Sequence, residues 1–314
     1  MPNLFSRVID PWYPSAAIGL EKGQVSVVQL ERVKGSECRL KRAATADIAE
    51  SLITPSFDEP NIADPGQLAA ILNDLAASAG LLRQKRWSLT LPEATARTIV
   101  LTMESQSSGS ELQDVLKWKI ERGFGAPVEE LSVSRERLQK DAQGRDRYLA
   151  IGVRKSVLAE YEAVLDSLGW RAGLILPRHL GEAQWLVRNG AAAGDSLLLS
   201  GSSHGFTGVI FRDRHPLIVR TVSCQRGEFE DEFYRFLLFY RDRNTPEADN
   251  VPLTRLMVIG GECITKERAG EIVNETTGGD LRPLAAEDLG LQLPSRDFSF
   301  DSIAAPAGLA TRSW

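Results

Sequence analysis

Histidine and cysteine are scarce in this chain, three of each among 314 residues, and their placement excludes whole classes of chemistry. Cys38, Cys224 and Cys263 form no C-x-x-C pair, so neither a disulfide framework nor a zinc site is indicated and a reducing compartment is expected. His179 follows Pro177-Arg178 and His215 precedes Pro216, and neither has a second ligand at metal-binding spacing. Each therefore reads as a surface or hydrogen-bonded residue, and the residues call for no metal. A cationic excess is missing too: 37 Lys and Arg face 42 Asp and Glu, a net charge of -5. Without it the chain lacks the phosphate neutralisation that drives nucleic-acid affinity, which sets DNA and RNA aside. No stretch approaches the ~18 uninterrupted apolar residues of a spanning helix. Met1–Tyr13 lacks the apolar centre of a signal peptide, so a cytoplasmic location is expected.

What is present is ordinary globular material, 43% hydrophobic and 25% charged, enough to bury a sizeable core. At about one domain per 100–200 residues the length implies two lobes. Twice an apolar run enters a glycine turn and leaves as a second apolar run: Ile18-Gly19-Leu20-Glu21-Lys22-Gly23 before Val25–Leu30, and Leu197–Ser203 before Thr207–Phe211. One such hairpin in each half suggests a duplicated α/β architecture with a cleft between the halves. Glycine turns can cradle phosphates through backbone N–H groups, whereas the acidic residues that anchor a metal ion are sparse at both turns.

At the start, Leu4, Phe5, Val8, Ile9 and Trp12 recur at helical spacing before Pro14. Only Arg7 sits on the polar face and Asp10 offsets it, so this amphipathic segment, residues 1–15, is expected to pack on its own domain or a partner and to touch a membrane only indirectly. Gln24–Val33 and Arg39–Ala44 read as strands, and Thr54–Gly66, with three prolines, as an exposed connection. From Asp64 to Gly80, Leu68, Ile71, Leu72, Leu75 and Ala79 keep the helical period, with Asp64 as N-cap, Pro65 opening the helix and Gly80 closing it. Trp87–Leu91 is a strand. A compact β-α-β-β-α unit follows: strand Arg97–Thr102, helix Ser110–Gly123, strands Leu131–Gln139 and Arg147–Val153, and helix Ser156–Leu168. A short helix with Leu180, Ala183, Trp185 and Leu186 precedes the second hairpin. Phe229, Phe233, Phe236, Leu237 and Tyr240 then form a helical stripe whose acidic run Glu228–Glu232 is its first turn, and Leu256–Ile259 is a buried strand ending at Gly260-Gly261.

Gly201-Ser202-Ser203-His204-Gly205 matches G-x-S-x-G, the nucleophile elbow of hydrolases. An elbow needs a strand, a sharp turn and then a helix, whereas Thr207–Phe211 reads as a second strand, and Asp213 and His215 lie too close together in sequence to converge on Ser203. No catalytic residue is assigned.

Taken in order, several segments resemble the cytoplasmic actin-like proteins of type IV pilus assembly typified by PilM, relatives of FtsA. These are Ile18-Gly19-Leu20, Leu91-Pro92 ahead of Arg97–Leu101, Ser110-Glu111-Leu112 leading into Lys117-Trp118-Lys119, Gly125–Glu130, Ala150–Arg154 before the Tyr161 helix with its Leu168-Gly169 end, Ile259-Gly260-Gly261, and Ala307-Gly308-Leu309-Ala310. The resemblance implies an α/β, actin-like (ribonuclease H-like) two-lobed fold. The first lobe would span 16–194, with an inserted β-α-β-β-α subdomain at 98–168, and the second 195–314, with its C-terminal segment returning to the first. It also implies a nucleotide site built from Glu21, Lys22, Gly23 and Gln24 at the first turn, Gly201, Ser202 and Ser203 at the second, and Gly260, Gly261 and Glu262 at the third.

The sequence departs from the family there. Glu21 takes an aspartate position, Gln24 replaces a serine, the first turn is shorter, its lysine position is apolar, and Leu199 stands where the second loop carries aspartate. Losing oxygen ligands weakens Mg²⁺ and its triphosphate together, so either no cofactor or weakly held ATP is expected, with Mg²⁺ doubtful and hydrolysis not expected. Tight-turn geometry alone is the alternative reading of the glycines. Glu21 is open between a solvated hairpin charge and a metal ligand, and Lys22 between an exposed side chain and a phosphate contact. The resemblance further implies a scaffold at the cytoplasmic face of the inner membrane that binds the N-terminal tail of a PilN-like membrane protein, with other pilus platform and motor proteins as further partners. The alternatives are an ATP-binding switch of the same platform, or a type II secretion platform component, which usually continues into a spanning helix.

Overall fold

The computed structural model describes residues 13–35, 37–103, 109–141, 143–188, 193–243, 251–260, 263–294 and 298–314. The amphipathic stripe expected before Pro14 falls on residues 1–12, outside the described residues. In chain order the strands are β1 (Ala16–Glu21), β2 (Gln24–Arg32), β3 (Cys38–Asp47), β4 (Arg86–Leu91), β5 (Arg97–Met103), β6 (Leu131–Leu138), β7 (Asp146–Arg154), β8 (Arg171–Pro177), β9 (Asp195–Ser202), β10 (Gly205–Arg212), β11 (His215–Ser223), β12 (Leu253–Ile259) and β13 (Leu291–Gln292). The helices are α1 (Pro65–Ser78), α2 (Gly109–Phe124), α3 (Lys155–Ser167), α4 (Arg178–Arg188), α5 (Phe229–Arg243), α6 (Lys266–Thr277) and α7 (Phe300–Ala310).

These elements form two compact units. The first comprises the described residues of Met1–Thr95, Ser156–Trp185 and Gly290–Trp314, the second those of Ala96–Lys155 and Leu186–Leu289. The division runs through the β-α-β-β-α segment: its three strands and first helix lie in the second unit, and all but the first residue of α3 lies in the first.

The first unit is built on a six-stranded sheet in the order β13-β3-β2-β1-β4-β8. β1, β2 and β3 pair antiparallel, as tight turns allow, while β4 runs parallel to β1 and β8 parallel to β4, as crossovers require. α7 packs on β2, β1 and β4, and α1 on β3 and β2. β1 is accordingly an apolar run, buried through Ala16–Leu20, while β4 alternates Trp87, Leu89 and Leu91 with Ser88 and Thr90 and is buried on both faces. α1 begins where the sequence signals it: the Asp64 carboxylate accepts from Gln67 N at 2.9 Å, Pro65 opens the first turn, and Leu68, Leu72 and Leu75 are buried. The Ala-Gly-Leu-Ala close of the chain has a packing reason. A Cβ on Gly308 would overlap the Gly181 carbonyl, one on Gly181 would lie 2.6 Å from the Ala305 carbonyl, and Trp185 Nε1 donates to Ala304 O at 2.8 Å. Only bare backbone lets α4 and α7 approach this closely.

The proline-rich connection before α1 is exposed at Thr54, at Asp58–Pro60 and at Ala63–Gly66, as its composition suggests, but it is pinned from within. Phe57 and Ile62 are buried, and Asn61 is 1% exposed with its amide fully used. Its Oδ1 accepts from Ser56 N, Thr95 Oγ1 and Tyr161 Oη at 3.1, 2.9 and 3.0 Å, and its Nδ2 donates to the Ser56 and Glu59 carbonyls. The prolines fix turns around a buried amide, which satisfies backbone groups that water would otherwise reach.

The second unit holds a four-stranded sheet, β11-β10-β9-β12, and a three-stranded sheet, β5-β7-β6. Phe206, Phe229, Phe233 and Phe236 form its aromatic core, with ring centroids 5.0–6.1 Å from Phe206. Glycine makes room for aromatic rings here: a Cβ on Gly208 would meet Phe236 of this core at 2.6 Å, and one on Gly152 of β7 would meet Phe124 of α2 at 2.5 Å. Asp195 is fully buried but not isolated, since Arg212 donates two bonds to its carboxylate at 2.8 Å and Tyr240 Oη a third at 2.8 Å. Among the described residues no helix is long and apolar enough to cross a membrane.

Candidate functional site

The sequence-predicted site residues fall into two groups, one in each unit. In the first, β1 and β2 run antiparallel down to the pair Glu21 and Gln24, with Lys22 and Gly23 as the two-residue turn. Gly23 has φ +83°, a conformation that favours glycine, and its carbonyl accepts from Ile48 N at 2.9 Å. Lys22 pairs with Glu50 at 3.1 Å.

Glu21 is neither a solvated charge nor a free ligand. Both of its oxygens lie 3.3 Å from the Arg178 guanidinium, which also donates to Glu182 at 2.7 Å. Glu182 is completely buried, and its second oxygen, Oε2, has no hydrogen-bond partner among the described residues. On the next residue of α4, His179 Nδ1 lies 3.1 Å from both oxygens of Glu93. Both Arg178 and His179 begin α4 immediately after β8, so the strand end aims them at the hairpin base.

Three carboxyls thus crowd around one guanidinium. Loss of water pushes the Glu21 carboxyl from its ordinary 4.5 up to about 8; Arg178 pulls the other way, and Glu182 and Glu93 add to the rise. Burial works against the charge on Arg178, yet the attraction of Glu21 and Glu182 dominates and holds its pKa above the ordinary value. The network's chemistry is self-contained: an internal cation occupies the carboxylate that the family resemblance would give to a metal ion. A carboxyl protonated near neutral pH and bonded to arginine is a poor Mg²⁺ ligand. Lys22, engaged with Glu50, is likewise committed on its own surface.

In the second unit, β9 and β10 close through Ser203-His204, with Ser202 paired to Gly205. Ser202 Oγ donates to Gly205 O at 3.2 Å inside the turn, and Cys263 Sγ lies 3.3 Å from Ser202 O. Gly201 and Gly260, the latter at φ +84°, approach closely: a Cβ on Gly201 would lie 2.6 Å from Gly260 O. This pair joins the ends of the parallel strands β9 and β12. Gly261 and Glu262 lie outside the described residues. Leu199, at the position of the missing aspartate, is fully buried in the apolar core.

Gly205–Arg212 is a strand, so Ser203 sits in a hairpin and not on an elbow, and Asp213 and His215 occupy the opposite end of that strand. His179, open between a surface and a hydrogen-bonded residue, is 1% exposed and bonded to Glu93. Among the described residues no group of three His, Cys, Asp or Glu is arranged to hold a metal ion. The network of Arg178, Glu182 and Glu93 escaped sequence reasoning because its members are 72 to 161 positions from Glu21. The only signal was the grouping of Arg178, His179 and Glu182 at the start of a short helix whose Leu180, Ala183, Trp185 and Leu186 are apolar.

No protein-family model matches the sequence, and no curated protein does. Among solved structures, a chain of the PilM-PilN type IV pilus biogenesis complex is similar over 96% of this chain and 99% of its own, with 16% identity and a TM-score of 0.74. A protein of actin-like ATPase fold and unknown function from Bacteroides thetaiotaomicron is similar over 95% of this chain and 96% of its own, with 12% identity and a TM-score of 0.50. The fold is therefore actin-like, as the α/β two-lobed expectation had it.

Proposed function

We propose that the chain is a non-catalytic scaffold of a type IV pilus inner-membrane assembly platform. It sits in the cytoplasm against the inner membrane and binds the cytoplasmic N-terminal tail of a PilN-like protein. The observation that carries this reading is the end-to-end likeness to a chain of the PilM-PilN complex at a TM-score of 0.74. Recognition takes the form of an extended peptide held by side-chain pockets and by main-chain pairing to a strand edge. Other platform and motor proteins are further partners.

The scaffold reading also rests on the first hairpin, where Arg178 holds Glu21 and leaves Mg²⁺ without its usual carboxylate. The ATP-binding switch is the second reading, favoured by one observation: the bare backbone contact of Gly201 and Gly260, a geometry suited to close approach by a ligand. Two titrations separate them. Full-length protein is expected to bind a synthetic PilN-like tail, seen as heat of binding and a raised Tm. With Mg-ATP it shows neither heat nor shift. Absence of tail binding overturns the scaffold, and Mg-ATP binding abolished by Gly261→Trp establishes the switch.

A further inference from the structure

The second unit contains a cavity of ≈ 720 Å³ that plays no part in the hairpin sites. It is within the roughly 300–1,000 Å³ of ligand-binding clefts. Val100 and Thr102 of β5 line one side, Leu217–Arg220 of β11 another, and Phe239 and Arg243 of α5 a third. Arg147, 9% exposed, fastens the two sheets by donating to the carbonyls of Pro216 and Leu217 at 3.0 and 2.8 Å.

The lining is cationic in a chain that is acidic as a whole: six Lys and Arg side chains face two aspartates. Three of the six are matched. Arg212 pairs with Asp195 at 2.8 Å, Arg145 with Asp141 at 2.7 Å and Lys140 with Asp146 at 3.7 Å. Arg147, Arg220 and Arg243 have no carboxylate within ion-pair distance among the described residues. The guanidinium groups of Arg243 and Arg220 instead gather on one ring, 4.2 and 5.5 Å from the centroid of Phe239. An aromatic face tolerates such a pair, but like charges held together beside a third favour an anion.

The remaining wall says what kind of anion. Among the described residues β11 pairs only with β10, so it is the edge of its sheet and alternate N–H and C=O groups along Val219–Thr221 turn away from its neighbour. Val100, Leu217 and Val219 put apolar side chains beside the three arginines. A free phosphate would use the guanidinium groups and neither the strand edge nor the apolar contacts.

We infer that this cavity is a docking site for an extended acidic peptide segment, which lays its backbone along β11 and its carboxylates on Arg220, Arg243 and Arg147. The site is independent of the tail-binding reading above and holds whether or not that reading does.

The test uses the full chain and a fluorescent eight-residue peptide alternating Glu with Val, followed by anisotropy. Binding is expected, weakening about tenfold or more as ionic strength is raised from about 0.05 to about 0.5 M. The double variant R220E/R243E is expected to abolish it. Both side chains are exposed, so the fold is retained, and R83E in the first unit is the control that leaves binding unchanged. Methylating alternate peptide nitrogens is expected to cost about tenfold if the backbone pairs with β11. No binding by the Glu peptide, equal binding by its Lys counterpart, persistence in R220E/R243E, or indifference to N-methylation overturns the proposal. Competition by inorganic pyrophosphate at equal affinity reduces the cavity to a simple anion site and overturns it as well.

Discussion

The two glycine hairpins share one design and have opposite fates. Each is an antiparallel pair with a two-residue turn, one strand of which continues its sheet through a parallel neighbour. At the base of the first stands a carboxylate, and the unit behind it supplies arginine. At the base of the second stands Gly201, and the unit behind it supplies the bare carbonyl of Gly260. What a hairpin tip can bind is therefore set less by its own residues than by the chain brought up beneath it.

Four substitutions sharpen or break this comparison. The largest effect is expected for Arg178→Ala, which strips the fully buried Glu182 carboxyl of its arginine partner. A loss of about 3–5 kcal/mol is expected from urea unfolding. A loss below about 1 kcal/mol would mean the network is not the first hairpin's foundation. Gly201→Ala tests the second hairpin, since its Cβ meets the Gly260 carbonyl at 2.6 Å. The expected cost is about 1–3 kcal/mol, read as a lowered urea midpoint at unchanged m. An unchanged midpoint would show that β9 and β12 are looser than described.

Glu21→Gln acts on pH dependence. Because the folded carboxyl titrates near 8 and the unfolded one near 4.5, the folded state holds the proton longer. Its stabilising contribution is complete below pH 4.5 and is lost as pH rises to about 8. The Gln variant is expected to lose that decline in Tm with pH, and a profile parallel to the wild type would remove Glu21 as its source. Smallest of all is Lys22→Ala, whose partner Glu50 is largely exposed, so no measurable change in midpoint is expected.

Local signals carried far in this sequence. Asp64-Pro65 and the stripe Leu68, Leu72, Leu75 locate α1, the phenylalanine stripe locates α5, and both hairpins stand out by glycine between apolar runs, because caps, periods and turns act over a few residues. β8, Arg171–Pro177, was not picked out: its neighbours bury it only partly and its residues show no period-two alternation. β3 runs to Asp47, beyond the Ala44 expected, because pairing with β2 extends it through Ala46 and Asp47, residues of low strand propensity. Thr54–Gly66 was legible as an exposed connection, but its prolines, which mark turns, gave no sign of the buried Asn61 amide at its centre. The candidate site was legible only as glycines and an acid. That Glu21 meets Arg178 depends on β8 lying two strands from β1 in the sheet, which no local pattern encodes.

The Asn61 amide joins three stretches of chain that are distant in sequence, and its own N–H and that of Ile62 both reach Glu160 Oε2, at 2.8 and 3.0 Å. A proline-marked connection of this kind is ordinarily the first to exchange its protons with deuterated solvent. Here those two amides are held by a carboxylate of α3, so their exchange should lag behind that of the exposed positions around them and report how firmly α3 grips the loop.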